Sequence, residues 1–256
     1  MRIKVLGCSG GVGPGLRTTG LLLDEEILID AGTGVGDLTL AQQTRIREVF
    51  LTHCHLDHVC GLAFLADNLF DHIEQPILVH ATRETLQVLR EHLFNWHLWP
   101  DFSQLPDAQR PLLRWQELAA EEVIELGEER RITAFRVRHT VPAVGYAIQT
   151  ARSCLAFTGD TYADDGLWTF LNRLPRLDSL IIEVSFPDQE AALGYASKHL
   201  TPELLGRELR KLEHRPRLYL THAKPGSESQ IERQCRQALK GWQFELLKRG
   251  DTLSLA

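Results

Sequence analysis

Between His53 and His58 the chain reads HCHLDH, which places three imidazoles and one carboxylate within six positions. A lone histidine is an ordinary surface or core residue. Four N and O donors at i, i+2, i+4 and i+5 gain little from crowding until something shares their lone pairs, and a metal ion is the simplest such partner. The preceding run Val49-Phe50-Leu51-Thr52 is strand-like. In extended chain His53, His55 and Asp57 project to one side and Cys54 and Leu56 to the other. Cys54 is therefore expected to be a buried, inert thiol and not a ligand. After His58 the apolar positions Val59, Leu62, Leu65 and Leu69 follow a helical period. The donors are thus expected on a strand-to-helix loop, unlike the His-Glu-x-x-His arrangement on one helix face.

Other donors follow short β-rich runs. Arg131–Arg138 leads to His139, Ser153–Phe157 to Thr158-Gly159-Asp160, and Arg217–Leu220 to Thr221-His222. The words FLTH and LYLTH read as one device used twice. Donors at the ends of different strands can converge on one sheet edge. Seven of them, with Asp160 as a bridge, suit two metals about 3.5–4 Å apart, a spacing used to hydrolyse phosphoesters. His80, in ILVHA, is the strongest rival and reads as a core residue or one behind the ligands. His72, His92, His97 and His214 read as surface residues.

Two acid/base candidates remain. His199 stands two residues before a helix start in which Thr201 is the N-cap, Pro202 the first helical residue and Glu203 in the first turn. It is equally a loop histidine or a proton donor. Glu183 ends the apolar run Leu180–Ile182, and a carboxylate emerging from a buried strand is costly unless partnered. It is a candidate to orient a histidine. The loop Gly7–Gly15, through Ser9, Gly10 and Gly11, can offer backbone amides to a phosphate or simply turn the chain. Trp96 and Trp99, beside Phe94 and Phe102, can stack a base or pack a core.

The scaffold that must hold these residues is 256 residues long and 43% hydrophobic, enough for one large α/β domain with a substantial core. No linker divides it. The irregular, aromatic stretch around residues 91–116 reads as an insertion or lid within that domain. A formal charge of −6 gives no long nucleic-acid footprint, whereas a small anionic substrate suits a cationic metal site. No secretory signal or membrane span is read. Five cysteines, odd in number and without C-x-x-C, argue against a disulfide framework, so the cytoplasm is expected.

Together these residues resemble the metallo-β-lactamase fold: His53-x-His55-x-Asp57-His58, then His139, Asp160 and His222, match its ligand series in chain order. The resemblance implies an αββα sandwich of two pseudo-symmetric halves. Within that fold the sequence most resembles class II 3′,5′-cyclic-nucleotide phosphodiesterases, through VLGCSGG (5–11), LIDAGTG (28–34), HTVPAVGY (139–146), FTGDT (157–161), IIEVSF (181–186), HLTP (199–202) and THAKP (221–225). It implies that His53, His55 and His139 hold one divalent ion, and Asp57, His58 and His222 a second, with Asp160 bridging. The ions are expected to be zinc, with iron or manganese as alternatives. His199 would be the general acid, Glu183 its orienting partner, and Asp57 part of the catalytic set. The expected reaction is attack on phosphorus by a hydroxide held between the ions, giving a 5′-nucleotide from cyclic AMP or cyclic GMP. The resemblance also suggests a homodimer. The rivals are a tRNA 3′-processing ribonuclease, which lacks its basic RNA-gripping arm here, a thioester, lactone or β-lactam hydrolase, and a metal-bound sensor without turnover.

Overall fold

Ile27–Ile29, Cys154–Phe157 and Ser179–Glu183 are buried at every position, the pattern of strands covered on both faces. The computed structural model, which describes residues 1–127 and 129–254, builds two seven-stranded sheets around them. The first contains β1 (Arg2–Gly7), β2 (Gly20–Leu23), β3 (Ile27–Ile29), β4 (Glu48–Phe50), β5 (Ile77–Ala81) and β6 (Leu113–Glu117). The second contains β7 (Val123–Gly127), β8 (Arg130–Val137), β9 (Ala143–Gln149), β10 (Cys154–Phe157), β11 (Ser179–Glu183), β12 (Arg217–Thr221) and β13 (Phe244–Leu246). The last strand, β14 (Thr252–Ser254), returns to the first sheet beside β1. Helices α1 (Leu40–Gln43), α2 (Leu56–Leu69) and α3 (Arg83–Val88) belong to the first half, and α4 (Asp165–Arg173), α5 (Ala191–Ser197), α6 (Pro202–Glu208) and α7 (Glu228–Ala238) to the second.

Three apolar clusters define four layers. One packs α2 and α3 on the outside of the first sheet, and another packs α4, α6 and α7 on the outside of the second. The third lies between the sheets, where Ile3, Val5, Phe50, Tyr146, Phe157 and Ile181 meet. This is the expected αββα sandwich. Among the described residues no helix is long and apolar enough to cross a membrane.

The sheets run β14-β1-β2-β3-β4-β5-β6 and β7-β8-β9-β10-β11-β12-β13, each antiparallel over its first four strands and parallel thereafter. That order corrects the reading of FLTH and LYLTH as a repeated device. Strand β4, which leads to His53, answers to β11, which carries Glu183. Strand β12, which leads to His222, answers to β5, which carries His80. His80 itself is a core residue, its Nε2 2.8 Å from Glu48 Oε2 and its ring stacked on Phe50 at 4.3 Å.

The helix after the donor cluster also begins earlier than its apolar period indicates. His55 is the N-cap, extended at φ −64° and ψ 145°, and α2 starts at Leu56. Asp57 and His58 therefore lie in its first turn, where a carboxylate meets the positive end of the helix dipole. Residues 94–112 form the irregular crossover from β5 to β6. Phe94 and Phe102 are buried in the first-half core, and residues 113–116 belong to β6.

Candidate dinuclear metal site

The loop after β4 is fixed before any donor is reached. Tyr146 Oη donates to Leu51 O at 2.7 Å, and Val144 N to Thr52 O at 3.0 Å, tying the loop to the second sheet. Asp30, fully buried after β3, accepts from Thr52 N at 2.8 Å and from Thr52 Oγ1 at 3.0 Å. Across the gap, Gly159 adopts a left-handed φ of +59°, and a Cβ there would meet Thr52 Cγ2 at 2.9 Å. Glycine thus lets the β10 turn close on Thr52 and deliver Asp160 between the sheets.

Two donor groups meet on Asp160. His53, His55, His139 and Asp160 form the first, and Asp57, His58, Asp160 and His222 the second, with the donor atoms of each group within 4.8 Å of one another. Asp160 Oδ2 faces His53 Nε2 at 3.8 Å and His139 Nε2 at 3.9 Å. Its Oδ1 faces His58 Nε2 at 3.4 Å and His222 Nε2 at 3.3 Å. Asp57 Oδ2 lies 3.3 Å from His222 Nε2. The early start of α2 places Asp57 and His58 in its first turn, where Asp57 faces His222 and His58 faces the Oδ1 side of Asp160.

The outer ring nitrogens are already committed. His139 Nδ1 donates to Lys198 O at 3.1 Å and His58 Nδ1 to Asp30 Oδ2 at 2.7 Å. His53 Nδ1 lies 2.9 Å from Thr52 Oγ1, while its Nε2 is buried without any hydrogen-bond partner. The inner nitrogens face each other, His58 Nε2 and His222 Nε2 at 3.4 Å, and His55 Nδ1 and His139 Nε2 at 3.2 Å. Facing lone pairs and an orphaned buried nitrogen are unfavourable in themselves and become ligands once a cation lies between them. Burial pushes His53, His55 and His139 toward the neutral form that a metal requires. Burial would raise Asp160 and Asp57, but the surrounding histidines hold both carboxyls low. The donor set is thus compatible with a dinuclear divalent-metal site.

A third buried group adjoins the second. Glu183, fully buried, accepts from His199 Nδ1 at 2.7 Å, from Ser185 Oγ at 2.6 Å and from Thr161 N at 3.0 Å. Ser185 Oγ, its proton given to Glu183, lies 3.0 Å from His222 Nδ1 and accepts from it. One carboxylate therefore orients both His199 and, through Ser185, His222. Burial opposes a charge on His199, but Glu183 outweighs it and raises the imidazole above its ordinary value.

All seven expected donors, with His199 and Glu183, are brought together. Cys54 is half-buried with its thiol pushed up by burial, and lies outside the donor groups. The expected substrate contacts fare differently. The amides of Ser9 and Gly10 donate to Arg17 O and Ala223 O at 3.0 Å each, so neither is free for a phosphate. A Cβ on Gly11 would meet Pro225 at 3.0 Å, so that residue is packed against the THAKP turn. Trp99 donates to Ala63 O on α2 at 3.1 Å and meets Phe64 edge-on, while Trp96 is exposed; neither contacts the donor groups. Sequence reasoning passed over Asp30 and Ser185. Asp30 carries the signal that singled out Glu183, a carboxylate at the end of a buried strand. Ser185 carries none, since its role exists only through three-dimensional contacts.

A family model described as "Beta-lactamase superfamily domain" matches residues 25–223. A Yersinia pestis protein named "Probable 3′,5′-cyclic-nucleotide phosphodiesterase" is 28% identical over 252 residues, covering 82% of this chain and 72% of its own. A ribonuclease Z of Thermococcus onnurineus is 27% identical over 154 residues, 56% of this chain and 44% of that protein. Among solved structures, unliganded yeast PDE1 matches with a TM-score of 0.84 at 19% identity over 99% of both chains, a likeness of fold.

Proposed function

Since the chain belongs to the beta-lactamase superfamily, we propose that this metal-dependent hydrolase cleaves nucleotide phosphodiesters, with a 3′,5′-cyclic nucleotide opened to its 5′-product as the favoured reaction. The observation that carries the reading is a buried Glu183–His199 pair beside donor groups that share Asp160. His53, His55 and His139 would hold one divalent ion, Asp57, His58 and His222 the other, and Asp160 both. Such ions supply Lewis acidity toward a phosphoryl oxygen and lower the pKa of a bound water.

The chain's own part is positioning and proton transfer. His199 Nδ1 is committed to Glu183, so the transferable proton belongs on Nε2, and the adjacent carboxylate favours that protonated form. In the proposed reaction His199 gives this proton to the departing 3′ oxygen, a step that contributes about 10²–10⁴-fold in comparable sites. A thioester or lactone hydrolase would have less use for such a donor, because its leaving groups depart more readily. Two relatives' names support the reading at the level of phosphodiester bonds, and they diverge on the substrate.

The test is steady-state hydrolysis of cyclic AMP by protein of known metal content, resolving 5′ from 3′ product, with a single-stranded RNA in parallel. Release of the 5′-nucleotide, abolished in His55→Ala, is expected. Intact cyclic AMP with cleaved RNA would move the substrate to the ribonuclease side.

A further inference from the structure

In the glycine loop the amides of Cys8, Ser9 and Gly10 are spent on Arg17 O and Ala223 O, so these three cannot cradle a phosphate at the donor groups. A cation from the loop after β12 lies against the glycine loop instead. Lys224 follows His222 by two residues, is half-buried, and donates from Nζ to Gly10 O at 2.8 Å. Among the described residues its ammonium has no carboxylate partner, whereas Lys211 is paired with both Asp165 and Glu208. An ammonium carries three donors, so two remain for a ligand.

Its place relative to the reacting groups is set by a layered series of rings. His222 stacks on His199 at 5.2 Å, His199 meets Phe186 edge-on at 5.7 Å, and Lys224 Nζ lies 5.8 Å from the Phe186 centroid. The backbone N–H of Lys224 donates to Ser185 O at 3.0 Å, fixing the residue beside the Glu183 network. The Lys224 charge is close enough to act against the protonated form of His199. Gly10 has a reason to be glycine here, because a Cβ would meet His222 O at 2.4 Å and Lys224 Cδ at 3.1 Å. The other lysine near the donors, Lys198, lies on the Tyr195 ring at 3.9 Å, and it is its carbonyl that serves His139.

Resting on the phosphodiesterase reading, we infer that the Lys224 ammonium binds a non-bridging oxygen of the scissile phosphate, so that the site selects anionic phosphodiesters over neutral esters. The glycine loop then acts through the Gly10 carbonyl, which aims the lysine. A charge-assisted bond of this kind is among the stronger single contacts a phosphate can receive.

The experiment compares wild type, Lys224→Met and Lys224→Arg, each with metal content and melting temperature measured, by calorimetric titration with inorganic phosphate and by kcat and KM on cyclic AMP. Phosphate binding is expected to weaken roughly 10- to 100-fold in the Met variant, and kcat/KM to fall similarly, with most of both restored by Arg. A Met variant that binds phosphate as wild type does at equal metal content overturns the inference. So does an Arg variant, folded and metal-loaded, that binds no better than Met. Loss of phosphate binding in a protein that leaves cyclic AMP intact would retain the anion site and remove the phosphodiesterase reading.

Discussion

Replacing Glu183 by glutamine removes one charge while keeping the size of a fully buried side chain. The carboxylate accepts from His199, Ser185 and the Thr161 amide, and from Leu200 N at 3.3 Å. A glutamine has a single acceptor oxygen, so its NH₂ must face at least one of these donors. An opposite charge at hydrogen-bond distance favours the protonated imidazole and so raises its pKa. Burial offsets part of that in the native site, and in Glu183→Gln the burial remains with only the smaller, opposed effects of Asp160 and Lys224. The sign follows directly. A raised His199 keeps its proton to higher pH, so activity that needs the proton falls only as pH rises through the elevated pKa. Without Glu183 that fall should move to lower pH, with kcat at neutral pH reduced about 10²-fold or more as the acid is lost. The assay is a pH–rate profile of kcat on cyclic AMP for both proteins at matched metal content. An unshifted alkaline limb with kcat intact would refute both the acid role of His199 and its dependence on Glu183.

Other perturbations separate the remaining contacts. Ser185→Ala should weaken metal binding at the His222 group by about 10–100-fold, with Ser185→Thr restoring it, read by metal titration followed by elemental analysis. Asp30→Asn keeps a residue that tolerates the left-handed φ of +58° but loses the charge and one of the two oxygens that accept from His58 and Thr52; a stability loss of about 3–5 kcal/mol in denaturant unfolding is expected. Chelation should abolish hydrolysis, and zinc, manganese or iron added back singly should rank by recovered activity.

The ligand set was legible because four donors sit in one short word, where spacing alone is informative. His139, Asp160 and His222 were legible because each follows a strand-like run. The division of those ligands came only from the family resemblance, since apolar periodicity reports the buried face of a helix and not that α2 begins at Leu56. FLTH and LYLTH misled for a related reason: similar words can lie on strands that are not counterparts, and only the sheet order pairs β12 with β5. The loop from Gly7 showed its glycines but not where its amides point. Trp99 showed an aromatic ring in a polar stretch, and α2 proved to be what it covers.

Each donor group draws on both halves of the sandwich: His53 and His55 from the first with His139 and Asp160 from the second, and Asp57 and His58 from the first with Asp160 and His222 from the second. An ion held by either set is therefore also a cross-link between sheets that otherwise meet through apolar packing and hydrogen bonds such as Tyr146 Oη to Leu51 O. Ligands that bind only the native state stabilise it by mass action. The same ions that would serve hydrolysis should thus set how the two halves come apart, with the metal-free chain opening at the sheet interface before either half loses its own helices.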